Sequence, residues 1–408
     1  MELSTHNDPA STANQSFAMS TAQQRRAYAG PALFSYGFRP FFLSGAIWSA
    51  LSIPLWIWSL FGGQTVGGHL DWHVHEMLFG MLGAILAGFL TTAIPNWTGR
   101  MPVIGAKLAA LWSLWLAGRL AMLFQVFIGP AAAWIDAAFL VVFAAVVWRE
   151  VLSGKNWRNL PICLLTALMA AANIAFHLDA ALGLQGLGTR VALAVAAVML
   201  ALIGGRITPS FTQNWLRQRG ETKLPPPFGT FDKVAVISAA VAAASWAFAP
   251  GQALAGGLLV AAGGVNLARL TRWRGNRTTT EPLLSILHLG YVWLGLALLL
   301  LGASVLTPLV PRPAGIHALS AGAIGVTCLA VMCRASRGHT GRPLTADRAT
   351  VAIFAAINLA ALLRVVAAFI PDYQAGLLVL AASCWTLAYG GFALAYGPML
   401  IGPRPARA

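Results

Sequence analysis

Trp72-His73-Val74-His75-Glu76-Met77 opens an apolar run that closes at Ile94-Pro95-Asn96-Trp97-Thr98-Gly99-Arg100. Such a run is long enough to cross the hydrocarbon core of a bilayer, about 30 Å thick. It decides the fold class, because runs of the same kind recur to the end of the chain. It also carries the first functional signal. Burying an ionisable ring in hydrocarbon is costly, so a histidine in a span usually has a partner there. Neutral imidazole is also the commonest protein ligand for iron, copper and zinc. Two readings stand at this point: a metal or haem site built on His73, His75 and Glu76, or a polar helix cap that contains histidine.

Composition makes this a polytopic membrane protein. The 408 residues are 58% hydrophobic and 10% charged, whereas soluble chains carry about 25% charged residues. About twelve apolar runs follow one another, the second near 73–95, the sixth near 188–206 and the tenth near 314–333. The fold class is therefore an all-α bundle of about twelve transmembrane helices. Residues 1–36, rich in Ser, Thr, Ala and Gln, read as a disordered cytoplasmic tail. Residues 37–402 read as the membrane domain and 403–408 as a short C-terminal tail. The stretch from Ile207 to Asp232, with Pro225-Pro226-Pro227, reads as the longest loop. Cys163, Cys328, Cys333 and Cys384 all lie in apolar runs without CxxC spacing and read as small buried hydrophobes.

The net charge of +15 belongs to membrane orientation, not to nucleic acid. With the N-terminus in the cytoplasm, outer segments keep only Arg190 and Arg312 of the 27 Lys and Arg, and Arg119 and Arg364 lie inside spans. The positive-inside rule gives this asymmetry for an even number of spans with both termini in the cytoplasm.

That orientation sorts the histidines. His69, His73 and His75 fall at the outer end of the second helix, His177 at the outer end of the fifth and His317 at the outer start of the tenth. His288 falls in the inner half of the ninth and His339 in an inner loop. His288 reads as a hydrogen-bonded packing residue or, alternatively, as a further haem ligand. Arg119 and Arg364 lie toward the outer ends of the third and eleventh helices. A buried guanidinium needs an anion, and the acidic inventory looks too small to pair both. Asp71, Glu76, Asp136, Asp179 and Asp372 are the outer-side candidates, a haem carboxylate or another anionic ligand is the alternative, and snorkelling to the headgroups is the third reading.

An internal repeat sharpens the pairing. His75 aligns with His317 at an offset of 317 − 75 = 242, and Gly80 with Gly322, Gly83 with Gly325, and Thr98-Gly99-Arg100 with Thr340-Gly341-Arg342 follow at the same offset. Helices two, six and ten stand four apart, which suggests three four-helix units around a pseudo-threefold axis. His75 and His317 then become the expected axial ligands of a haem iron. Residues two apart on a helix point some 200° apart, so His73 is left for a second metal, with His177 or Glu76.

The motifs Gly37-Phe38-Arg39-Pro40-Phe41-Phe42, Trp72-His73-Val74-His75-Glu76-Met77, Pro95-Asn96-Trp97-Thr98-Gly99-Arg100, Gly118-Arg119 and Arg334-Ala335-Ser336-Arg337-Gly338-His339-Thr340-Gly341-Arg342-Pro343-Leu344 together resemble the NnrS family over nearly the whole chain past the tail. The resemblance implies a twelve-helix protein of the bacterial cytoplasmic membrane that contains haem, expected as haem b, and copper. It also implies a role in nitric oxide metabolism and nitrosative stress, with a quinol or cytochrome as electron donor. The three-by-four plan is similar to the catalytic subunit of haem–copper oxidases, but the sixth and seventh helices here lack the copper-ligating histidines of that family. Two functions follow as expectations. One is a redox metalloprotein that binds or converts nitric oxide near the outer face. The other is a transporter of a metal, haem or nitric oxide adduct.

Overall fold

The computed structural model describes residues 28–63 and 69–404. Among these it forms twelve helices long and apolar enough to span a membrane. They are α1 (Phe38–Leu60), α2 (Leu70–Thr98), α3 (Ala106–Leu123), α4 (Ala131–Ser153), α5 (Trp157–His177), α6 (Leu187–Gln218), α7 (Thr230–Phe248), α8 (Ala253–Thr271), α9 (Pro282–Leu306), α10 (Arg312–His339), α11 (Arg348–Val366) and α12 (Pro371–Ile401). Most are apolar on all sides, as a helix must be when one face meets lipid and the other meets protein. Their ends are fixed by ordinary capping. The His69 ring accepts from the Trp72 N–H at the start of α2, and Asp347 accepts from the Thr350 N–H at the start of α11. Gly99 closes α2 at φ 68°, where a side chain would be strained.

Three helices differ from the rest. In α2, α6 and α10 the most apolar stretch is 78%, 67% and 72% buried, against 28–50% in the other nine. These three touch one another along a central axis. The remaining nine pack around them in three groups, α3–α4–α5, α7–α8–α9 and α11–α12–α1, joined through the inner helices. Each inner helix also breaks its α-geometry with a π-helical segment: Glu76–Met81 in α2, Leu200–Gly204 in α6 and Ala318–Gly325 in α10. A π-turn inserts one residue and re-aims the side chains that follow, and such segments cluster at functional sites. The expected three-by-four arrangement is therefore present, with its repeat most visible in these matched irregularities.

Two boundaries differ from the sequence reading. Helix α6 continues through Pro209 to Gln218, so the long loop shrinks to 219–229. Pro209 sits early in the α-helical segment that follows the π segment, at Gly205–Gln218, and the helix absorbs it there. Ahead of α1, Ala32–Ser35 form a short 3-10 helix and the Phe34 ring packs edge-on to Trp112 of α3, so the folded region starts before residue 37. Residues 1–27 of the N-terminal tail, and residues 405–408 of the C-terminal one, lie outside the described residues. The four cysteines are free thiols.

Candidate metal centre

The second turn of α2, the ends of α3 and α5 and the start of α4 meet at the face opposite the start of α1 and the end of α12. Together they bury a polar group in an otherwise apolar bundle. His75 and Glu76 are fully buried, as is Arg119, and Asp136 is 1% exposed. His75 Nδ1 lies 2.9 Å from Glu76 Oε1 and its Nε2 2.9 Å from Asp136 Oδ2. His177 Nε2 reaches the same Asp136 oxygen at 2.9 Å, and Asn173, one turn earlier on α5, donates to it at 2.9 Å. Among the described residues, His75, Asp136 and His177 bring their ligand atoms within 4.8 Å of one another. Two imidazoles and one carboxylate form a donor set suited to a transition metal.

The surroundings hold these groups in place. Arg119 donates to Glu76 and to Asp136. The Trp48 indole N–H donates to Glu76 Oε2 at 2.6 Å. Phe79 and Phe176 stand 5.2 Å from the His75 ring and close it in. Gly80 is required here: a Cβ would sit 2.5 Å from Arg119 Nη1 and 2.7 Å from Glu76 Oε2. With Glu76 and Asp136 ionised against Arg119, one negative charge stays uncompensated. Leaving it so in a buried site is costly, and a bound cation or a proton on an imidazole balances it.

Beside this group lies a cavity of about 440 Å³, a size typical of small-molecule and cofactor sites. His73, His317, Arg364, Thr189 and Ser320 are its polar lining residues, and the rest of the wall is apolar and aromatic, including Trp56 and Trp385. The Trp56 ring stacks on His73 with centroids 4.0 Å apart. His317 Nδ1 is bonded to the Pro313 carbonyl at 2.8 Å, which leaves Nε2 as its ligating nitrogen. His73 Nδ1 and Arg364 Nη1 are buried without a hydrogen-bond partner. Buried polar atoms are nearly always paired, so two orphans on one cavity mark the place where a ligand's polar groups belong.

The sequence-predicted residues thus divide differently from expectation. His75 does not meet His317. It faces Asp136 and His177, and His73 is the one that shares a cavity with His317. The helical argument that the two histidines of α2 point apart holds, but their surroundings are exchanged. Glu76 stands behind His75, bonded to its Nδ1. Arg119 needs no ligand carboxylate, because it already has two protein carboxylates; only Arg364 is left to the cavity. His288 lies at the other end of the bundle, with Nε2 bonded to the Thr212 hydroxyl at 2.9 Å, and joins neither site. Asn173 was missed, and Asp136 was foreseen only as a candidate partner of the buried arginines, not beside His75 and His177. Asn173 stands four residues before His177, a spacing that puts both on one helix face, and Asp136 begins an apolar helix at the same depth; those were the available signals.

Residues 32–404 match the family model described as NnrS protein. The chain belongs to the NnrS family. A search of curated proteins finds no match at the level accepted. The NnrS match spans all twelve helices, and so includes both the His75–Asp136–His177 group and the cavity.

Proposed function

We propose that this NnrS protein is a haem- and copper-binding membrane protein of nitric oxide metabolism, with copper at His75, Asp136 and His177 and haem b between His73 and His317. The convergence of two imidazoles and a carboxylate within 4.8 Å carries the copper reading. Glu76 on His75 Nδ1 supports it, since a ligating histidine commonly gives its other N–H to a carboxylate that fixes the tautomer. A cation there takes the place of the proton shared between His75 Nε2 and Asp136, so binding releases a proton. The haem reading rests on the orphaned His73 Nδ1 and Arg364 Nη1, on the apolar and aromatic walls, and on the cavity's size. Arg364 is placed to pair with a haem carboxylate. When bound, haem held by two histidines would supply one-electron transfer, and copper a second electron and the site for a diatomic ligand. The chain's own part is to hold both near the outer face and to exclude water with Trp56, Phe79 and Phe176. A quinol or cytochrome is the proposed donor. The termini are proposed to lie in the cytoplasm of a bacterial inner membrane.

Optical and EPR spectra with metal analysis test this division. His73→Ala and His317→Ala are expected to lose the haem Soret band and keep copper. His75→Ala and His177→Ala are expected to lose copper and keep the band. Loss of the Soret band in His75→Ala with copper retained would overturn the assignment. The matched π segments favour one runner-up, a transporter, because transporters interrupt helices near mid-membrane to bind cargo. Uptake of metal or haem into proteoliposomes, with no redox-active metal retained, would select it.

A further inference from the structure

A second cavity, of about 70 Å³, lies between the three inner helices. Its lining repeats with the fold. Leu82, Ile85, Leu86 and Phe89 of α2, Leu200, Ile203, Gly204 and Ile207 of α6, and Ile324, Thr327, Cys328 and Val331 of α10 line it. The i, i+3, i+4, i+7 spacing is the same on all three helices, so each presents one stripe to the common axis. Gly204 of α6 and Cys328 of α10 are small side chains in this lining and leave room between the helices. Interiors are otherwise close-packed, and a void costs stability in proportion to its volume.

We infer that this void is a docking chamber for a non-polar gas molecule, set on the pseudo-threefold axis and separated from the larger cavity by the Ile324 side chain. Three observations carry the inference. First, the lining is hydrocarbon apart from the Thr327 hydroxyl, the Cys328 thiol and the Met199 thioether. A buried water asks for two to four polar partners, whereas apolar cavities stay dry and take up xenon or small apolar molecules. Second, the volume admits an atom or a diatomic molecule and excludes a porphyrin or a quinone ring. Third, Ile324 lines both cavities, so one side-chain rotation separates the chamber from the site where His73 and His317 face the cavity.

The identity of the gas as nitric oxide rests on the proposed function; occupancy by a non-polar gas does not. Xenon is the probe for the second statement, because it needs neither haem nor copper. The full chain, metal-free and metal-loaded, is equilibrated under xenon pressure, and bound xenon is located by anomalous scattering in crystals and counted by 129Xe NMR in detergent. One atom beside Leu86, Gly204 and Cys328 is expected in both forms. Cys328→Leu is expected to abolish that signal with metal content unchanged. Cys328→Met fills the same space with a more adaptable side chain should leucine prevent folding. Absence of xenon from the wild-type chamber would overturn the proposal, as would a signal that survives a folded filling variant. Either outcome would leave the metal and haem contents as they were, so this failure is distinct from failure of the haem–copper reading.

Discussion

Glu76 shows how one residue's role depends on its contacts. By type and position it reads as a ligand. In the structure one oxygen orients His75 and the other is held by Arg119 and Trp48. Its substitution by glutamine keeps the shape and removes the charge. Glu76→Gln is expected to weaken copper binding by about 10–100-fold, the usual loss for such an outer partner, and to leave the haem band intact; competition titration with a copper chelator measures it. Asp347 is a second case, outside the membrane. It caps α11, accepting from the Thr350 hydroxyl at 2.7 Å and the Thr350 N–H at 2.8 Å, and pairs with Arg337. The Thr350 hydroxyl and N–H hold its carboxyl below the usual range, with Arg337 adding to the effect. A depressed folded pKa stabilises the fold fully above the unfolded value, about 3.9, and that contribution fades as pH falls through the lower folded value. Asp347→Ala is expected to cost about 0.5–2 kcal/mol near neutral pH, with the difference from wild type shrinking at acid pH. Thermal melts in detergent across pH 3–7 check it, on the order of the window set by those values.

At the scale of elements, the π segments organise the molecule. An inserted residue frees backbone carbonyls that must be satisfied. In α6 the fully buried Arg269 does this: it donates to the Ala201 and Gly205 carbonyls and to the Tyr291 hydroxyl, and its Nε pairs with Asp232 at 2.8 Å. Removing one partner of a buried ion pair typically costs about 3–5 kcal/mol. Arg269→Met is therefore expected to lower the melting temperature sharply, and Asp232→Asn by a similar mechanism. Copper and haem contents of the folded fraction are expected to be unchanged, because both sites lie at the opposite end of the bundle. A thermal scan paired with metal analysis of the same sample reads both effects. The apolar sequence of α6 announced a span, but neither its length past Pro209 nor its π turn was legible. Both depend on carbonyls being met by an arginine from α8.

For the whole molecule, an even number of spans puts both termini at one face, and both sites gather at the other. If the cationic loops lie inside, a cysteine placed at Gln185 is expected to react with an impermeant maleimide in intact cells, and one placed at Lys155 only after permeabilisation; the reverse pattern would invert the topology. Twelve spans, three repeats and the family were legible in the chain itself, because hydropathy, cation placement and motif spacing are local and one-dimensional. Depth along the bundle was legible too, which is why His73, His75, His177 and His317 were placed at one face. Azimuth was not. A helix that is apolar all round carries no stripe to say which side faces its neighbours, so a rotation exchanges the surroundings of His73 and His75 without altering the pattern of residues. Only packing of α2 against α4 and α5 on one side, and across the cavity from α10 and α11 on the other, fixed that rotation. It gave Arg119 its two carboxylates and left Arg364 with none.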